Sequence, residues 1–302
     1  MTEGNADKRG RAREDGGVVT DATADDSVTE RSSADATEVD SALLGDGLSL
    51  SYRTSDAPVV ECERIVVPEG EITALVGPNG SGKSTLLKAL SNHLQPDRGV
   101  IALNGRDITE YGPKELAREL GHLSQQNESP EGMTVEELLY HGRYPHRGFF
   151  ESVTEEDREA VDRAVALAGI EQLRETELGQ LSGGQKQLAW IGMVLAQETD
   201  VLLLDEPTTF LDLHHQLRVM QTIERLNEAK GVTVVAVLHD IAQAARFADY
   251  LIALQDGELY DWGPPRSVVT EELFADVFEV DAAVIEESSE LQIVPKRPLD
   301  AE

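Results

Sequence analysis

The stretch Gly77-Pro78-Asn79-Gly80-Ser81-Gly82-Lys83-Ser84 constrains this chain more than any other. Its pattern is that of a P-loop, and its flanks suit it. Residues 71–76 form a short apolar run fit for a buried strand, and residues 85–90 have helical periodicity. The motif works only in that strand-to-helix setting. Gly77, Gly80 and Gly82 let the backbone turn and approach a ligand with no Cβ in the way. The freed N–H groups and the helix N-terminus then form an anion site. Lys83 would reach the β- and γ-phosphates of a nucleotide, and the Ser84 hydroxyl would hold Mg²⁺.

Charge sets the next bound. Acidic residues number 57 against 26 basic ones, for a net charge of −31. Such a field repels nucleic acid, which is bound through phosphate neutralisation, so no nucleic-acid partner is expected. It also strains a compact fold at low salt. At about 1 M salt the Debye length shrinks to about 3 Å and the repulsion is screened. The acidity covers the domain as well as the start of the chain (Glu155-Glu156-Asp157, Glu271-Glu272, Glu286-Glu287), which fits a salt-rich cytosol such as that of a halophilic archaeon. No apolar run approaches the ~18 residues that cross a bilayer, and the polar start lacks an apolar signal region. A soluble cytosolic protein is expected, and the lone Cys62 allows no intrachain disulfide.

Residues 1–40 are rich in Asp, Glu, Ser, Thr, Ala and Gly, lack aromatics, and are expected to be a disordered acidic tail. Alternating residues 47–52 and 59–67 predict antiparallel strands leading to the P-loop strand. Two readings fit Tyr52: an adenine stacked on its ring, or a half-buried strand residue. Asn104-Gly105 predicts a hairpin. A short strand over 120–124 ends at Gln125, whose amide can meet both Mg²⁺ and water. Residues 130–197 look mostly helical, with capping boxes at Thr134/Glu137 and Thr154/Asp157. Between these helices, residues 142–150 are locally basic and aromatic (Arg143, Tyr144, His146, Arg147, Phe149, Phe150). That loop is either packed or a partner's contact surface, and the composition favours the surface.

A second anion site opens at Leu181-Ser182-Gly183-Gly184-Gln185, where Ser182 can cap a helix and two glycines bare its positive end. Val201-Leu202-Leu203-Leu204-Asp205-Glu206 is a buried parallel strand ending in two acids, the Walker B pattern. Asp205 would hold the Mg²⁺ shell, and Glu206 would polarise an attacking water. The pair His214-His215 has no accompanying ligand cluster and reads as surface or interface histidines. A further buried strand over 232–238 places His239 within reach of a γ-phosphate. A strand over 250–254, a hairpin at Asp256-Gly257 and a helix over 270–278 complete the domain.

Taken in order, the P-loop, Gln125, the Leu-Ser-Gly-Gly-Gln run, the Asp205-Glu206 strand, Asp212 and His239 resemble the nucleotide-binding subunit of an ABC transporter over about residues 45–280. The resemblance implies an α/β P-loop NTPase with a RecA-like core, an antiparallel β subdomain and an α-helical subdomain (about 130–197) within a 41–282 domain. Residues 283–302 remain as a C-terminal tail. It implies ATP and Mg²⁺ as cofactors. Nucleotide would be held by Tyr52, by Gly77 through Thr85, by Ser182, Gly183, Gly184 and Gln185, and by Asp212, which crosses a dimer. The metal would be held by Ser84, Gln125 and Asp205. Glu206 resembles the catalytic base, His239 the switch histidine and Gln125 the glutamine linking the site to a membrane partner. Ser129 through Val135, Asp205 through Asp212 and Val237 through Ile241 are similar to importers of ferric siderophores, with haem and cobalamin importers as alternatives. Leu188 departs from the pattern, standing where the family has a basic residue. The implied assembly is a homodimer under a two-fold axis, on the cytoplasmic face of a membrane. It would work with transmembrane permease subunits and an extracytoplasmic substrate-binding protein. A non-transport ABC ATPase is the competing class. The absence of a long coiled coil or second cassette weighs against it.

Overall fold

The computed structural model describes residues 40–53, 57–125, 127, 130–148, 151–287 and 290–299. All but Asp40 of the expected acidic tail over residues 1–40, and Ser129, Phe149 and Phe150, lie outside the described residues. The chain opens with β1 (Ser41–Leu50) and β2 (Val60–Pro68), then β3 (Ile72–Val76) and α1 (Lys83–Leu90). Next come β4 (Arg98–Leu103), β5 (Arg106–Asp107), α2 (Pro113–Glu119) and β6 (Leu120–Leu123). Helices α3 (Val135–His141), α4 (Glu155–Ala168) and α5 (Gly183–Gln197) precede β7 (Val201–Leu204), α6 (Leu213–Lys230) and β8 (Thr233–Val237). The chain ends through α7 (Ile241–Phe247), β9 (Tyr250–Gln255), β10 (Glu258–Gly263), α8 (Pro265–Val268), α9 (Glu271–Asp276), β11 (Val280–Glu287) and β12 (Glu290–Pro298).

The central sheet runs β10-β9-β3-β8-β7-β6. Its five inner and far strands are mutually parallel, and β10 returns antiparallel on β9. Every residue of β3, β7 and β8 is buried, as parallel strands covered on both faces require. The period-2 alternation divides the core. Leu202, Leu204, Val234 and Ala236 face the helices, whereas Leu203, Val235 and Val237 pack with Leu43, Ile65, Leu86 and Leu87 toward the antiparallel sheet β2-β1-β4-β5. Both expected hairpins form. Asn104 and Gly105 (φ 51° and 76°) and Asp256 and Gly257 (φ 50° and 87°) take the left-handed conformations such turns need. Both capping boxes form too: Thr134 and Glu137, and Thr154 and Asp157, exchange side-chain and backbone bonds. Cys62 is buried, and burial pushes its thiol up to about 11.

Two expectations are corrected. The sequence leaves 283–302 as a tail, but β11 and β12 pair antiparallel, with Val284 opposite Ile293, and pack on α9 and α7. Neither run keeps a strict alternation (Ala282-Ala283-Val284-Ile285 and Leu291-Gln292-Ile293-Val294), which hides the pattern. The second correction concerns the basic loop. Arg143 is 1 % exposed and points inward, with Nε 3.1 Å from Asp157 Oδ1 and Nη1 2.8 Å from the Ala196 carbonyl. His146 Nε2 meets the Gln197 carbonyl at 2.7 Å. The last carbonyls of α5 lack intrahelical donors and carry the negative end of the helix dipole, so they draw these groups in. Of the loop's described residues, Tyr144 is the one large apolar side chain left exposed.

At the opposite end of β3, Glu71 and Asp249 share a hydrogen bond. Burial, then that bond and the Asp249 charge, hold the Glu71 carboxyl above its ordinary value. The pair therefore stabilises the fold below the unfolded Glu value of about 4.3. That contribution is lost as pH rises through the folded value. Glu71→Gln is expected to raise Tm at pH 7 in dilute buffer. The site is open to solvent, so the gain stays below about 1 kcal/mol. The gain should vanish in molar KCl. Thermal melts at the two salt concentrations check this, and a lowered Tm at pH 7 would contradict it.

Candidate functional site

Four adjacent parallel strands, β3, β8, β7 and β6, end along one edge, where open α/β sheets bind ligands. Strand β3 runs into Gly77 at φ 146°, where a Cβ would stand 2.2 Å from the Leu254 carbonyl, so no side chain fits. Gly82 (φ 96°) leads into α1 without a side-chain cap, leaving its first N–H groups open to an anion. Lys83 is 5 % exposed, and its ammonium donates to the carbonyls of Gly77 (2.8 Å) and Pro78 (2.7 Å). Burial lowers its pKa, against the opposing pull of Glu206 and Asp205. Tyr52 lies beyond the end of β1 and is exposed, with Oη 3.2 Å from Thr85 Oγ1. It is not a half-buried strand residue; it stands at the first turn of the P-loop helix.

The end of β7 supplies the acids. Ser84 Oγ donates to Asp205 Oδ1 at 2.9 Å. Burial, offset by the Ser84 bond and reinforced by Glu206, raises the Asp205 pKa. A buried carboxylate beside a second acid is relieved by a cation, and a hydroxyl with a carboxylate is the hard-oxygen set that Mg²⁺ takes alongside waters and phosphates. Glu206 sits at φ 53°, a conformation sparsely populated by residues with a side chain. His239 Nε2 lies 2.7 Å from Glu206 Oε1, while Gln125 Nε2 (2.6 Å) and Thr209 Oγ1 (3.0 Å) donate to Oε2. Burial works to raise this carboxyl, but the bonds from His239, Thr209 and Gln125 outweigh it and hold it below the ordinary range. So the ends of β6, β7 and β8 bring Gln125, Glu206 and His239 together, beside the Ser84–Asp205 pair.

The second anion site does not join this cluster. Ser182 caps α5 through Gln185 N (3.4 Å), and Gln185 Oε1 accepts from Ser182 N (3.0 Å). Among the described residues neither bonds to the P-loop. Leu188 is fully buried in the helical-side core. Asp212 caps α6, accepting from His215 N at 3.0 Å and Nδ1 at 2.9 Å. His214 is exposed, and among the described residues no group of three or more His, Cys, Asp or Glu could hold a metal. Sequence reasoning missed Thr209 and His215. The Asp-x-x-His spacing at a helix start was the available signal for His215. Two clefts of about 320 and 500 Å³ lie at the other end of the sheet, where β7 and β8 begin, both lined by Asp200 and Lys230.

This fold and site define a P-loop ATPase. The ABC transporter family model matches residues 64–209. The chain is 44 % identical to the ferric enterobactin transport ATP-binding protein FepC of Escherichia coli (strain K12), over 83 % of this chain and 92 % of that protein. An ABC transporter described as of metal-chelate type, in an inward-facing conformation, superposes with TM-score 0.73 at 27 % identity, covering 86 % of this chain and 98 % of the other. The dimeric ATP-binding cassette MJ0796 bound to ADP and Pi superposes with TM-score 0.64 at 28 % identity, covering 74 % and 99 %. The chain belongs to the ABC transporter family of ATP-binding proteins and is a transporter ATPase. No helix of its described residues is long and apolar enough to cross a membrane.

Proposed function

We propose that this chain is the ATP-hydrolysing subunit of an importer for ferric-siderophore chelates. It would work as a homodimer beneath separate permease subunits on the cytoplasmic membrane face, fed by an extracytoplasmic binding protein. The observation that carries the ATPase chemistry is the convergence of Gln125, Glu206 and His239 beside the Ser84–Asp205 pair. In this reading the N–H groups of Asn79 through Thr85 cradle the phosphates, Gly77 and Pro78 shape the entry to the loop, and the Lys83 ammonium turns from its carbonyls to the β- and γ-oxygens. Tyr52 offers a face to the adenine. Ser84, Asp205 and Gln125 would hold Mg²⁺, which supplies neutralisation of charge on the phosphates.

A carboxylate has about four lone-pair sites, and three donors already meet Glu206, leaving room for one water. Water attacks the γ-phosphorus, the bond to the bridging oxygen breaks, and Glu206 takes the water's proton. Once Glu206 has taken the proton, the His239 Nε2–H is released from Oε1 and would donate toward the departing phosphate.

Ser182, Gly183 and Gly184 open a helix that makes no bond to its own P-loop among the described residues, so a second copy under a two-fold axis would complete each site. Phe210, 97 % exposed at φ 62°, and Leu213, 69 % exposed, flank Asp212. Apolar groups so exposed, one of them strained, suit a face that a partner copy covers. The chelate assignment rests on the likeness to the enterobactin protein. The net charge of −31 supports a salt-rich cytosol as the setting.

Cells carrying Lys83→Ala in place of the wild-type chain should lose uptake of radiolabelled ferric siderophore, and the wild-type chain should co-purify with a multi-span permease from solubilised membranes. Undiminished iron uptake alongside lost haem or cobalamin uptake would move the substrate. Recovery of ribosomes or DNA instead of a permease would overturn the transport role.

A further inference from the structure

The ring of His215 lies between two segments that the sequence holds about thirty residues apart. On one side its Nδ1 meets Asp212 Oδ1 at 2.9 Å, and its own backbone N–H donates to the same oxygen at 3.0 Å. An ionised carboxylate only accepts, so Nδ1 carries the hydrogen. On the other side the ring abuts Gly184. A Cβ on that residue would stand 2.3 Å from both Cγ and Cδ2 of the imidazole. The His214 ring stands edge-on at 5.3 Å, outside this contact. Gly184 therefore lacks a side chain because the imidazole occupies its place, in addition to any need for close approach by a phosphate. The Asp212 side chain is 68 % exposed, so its bond to His215 adds little to fold stability. A packed ring whose bond contributes little to the fold, yet joins the start of α5 to the start of α6, is placed to set their spacing.

We infer that His215 is a positioning residue that fastens the Ser182–Gln185 turn and the Asp212 loop of one chain into a single unit, which acts on the nucleotide held by the partner copy. The inference rests on the head-to-tail pairing proposed above. Two helix starts that must meet one triphosphate from the same side need a fixed separation. A displacement of about 1 Å at such a site costs on the order of 10²-fold in rate.

Two kinds of measurement test it. First, His215→Ala should lower kcat at least about tenfold, with KM for ATP and Tm little changed. His215→Asn, whose Nδ2 can stand where Nδ1 stood, should recover most of the loss. Equal losses in the Ala and Asn variants would overturn the inference. Second, two differently tagged full-length chains, all carrying Glu206→Gln so that ATP is retained, are co-purified in two arrangements. One pairs a Lys83→Ala chain with a His215→Ala chain. The other pairs an otherwise unaltered chain with a chain bearing both changes. The composition is identical, but only the first arrangement sets an intact P-loop against an intact His215 unit. It should retain severalfold more ATP per pair. Equal retention would overturn the inference. Glu206→Gln pairs without further changes are the control: if they trap no ATP, the head-to-tail reading itself fails and takes the inference with it.

Discussion

Glu206→Gln should cut ATP turnover by about 10²–10⁴-fold, the range associated with a positioned general base. The substitution keeps the side chain's size and one acceptor oxygen, so the bonds from His239, Thr209 and Gln125 can partly re-form. What it removes is the capacity to take a proton from water. Nucleotide binding rests on Lys83, Ser84 and the P-loop amides and should persist, so the variant should accumulate ATP-bound pairs. Steady-state phosphate release measures the first effect, and size-exclusion with ATP the second. The wild-type rate should also fall with acid. The three hydrogen bonds that outweigh burial keep the Glu206 carboxyl below the ordinary range, so the base stays ionised through neutral pH and loses activity only as pH drops through that low value. Turnover at the wild-type rate in Glu206→Gln would remove the assigned base.

The second large effect concerns the fold. Arg143→Met should destabilise the chain by about 3 kcal/mol, the low end of the cost of breaking a buried ion pair, since Arg147 Nε stays 4.0 Å from Asp157 Oδ2. Asp157 is 2 % exposed and would lose the guanidinium at 3.1 Å, while the Ala196 carbonyl would lose its donor. Burial works to raise the Asp157 carboxyl. The Thr154 N–H and hydroxyl together with Arg143 prevail and hold it low. Its stabilising contribution is therefore present above the unfolded Asp value of about 3.9 and is lost as pH falls through the folded value. Without Arg143 the folded value rises toward the unfolded one, so the variant's stability should fall less with acid. Adding Asp157→Asn should restore part of the stability, since no buried charge is then left alone. Denaturant melts at pH 7 and pH 4 check each point. A loss below about 1 kcal/mol would place the pair among solvent-screened bridges.

The sequence by itself determined whatever rests on contiguous backbone. The P-loop, the capped start at Ser182, both Gly-containing hairpins and the capping boxes are local, because a glycine's freedom or a cap's reach spans only a few residues. The apolar runs of β3, β7 and β8 likewise announced a buried parallel sheet. Gln125, Glu206 and His239 were each nameable from the sequence, as polar groups at the end of a short apolar strand, and the family resemblance added their joint role. Their meeting depends on the strand order β3-β8-β7-β6, which no local pattern encodes. Other features only the tertiary structure decided. The charge of Arg143 turned inward because its partners lie 14 to 55 residues away, at Asp157 and the end of α5. The hairpin β11–β12 gained its core contacts from α9 and α7, although most of its own residues are exposed. His215 acquired its place from the approach of α5 to α6. Local chemistry fixes what a segment can bind; which segments face each other is settled by how the buried surfaces pack.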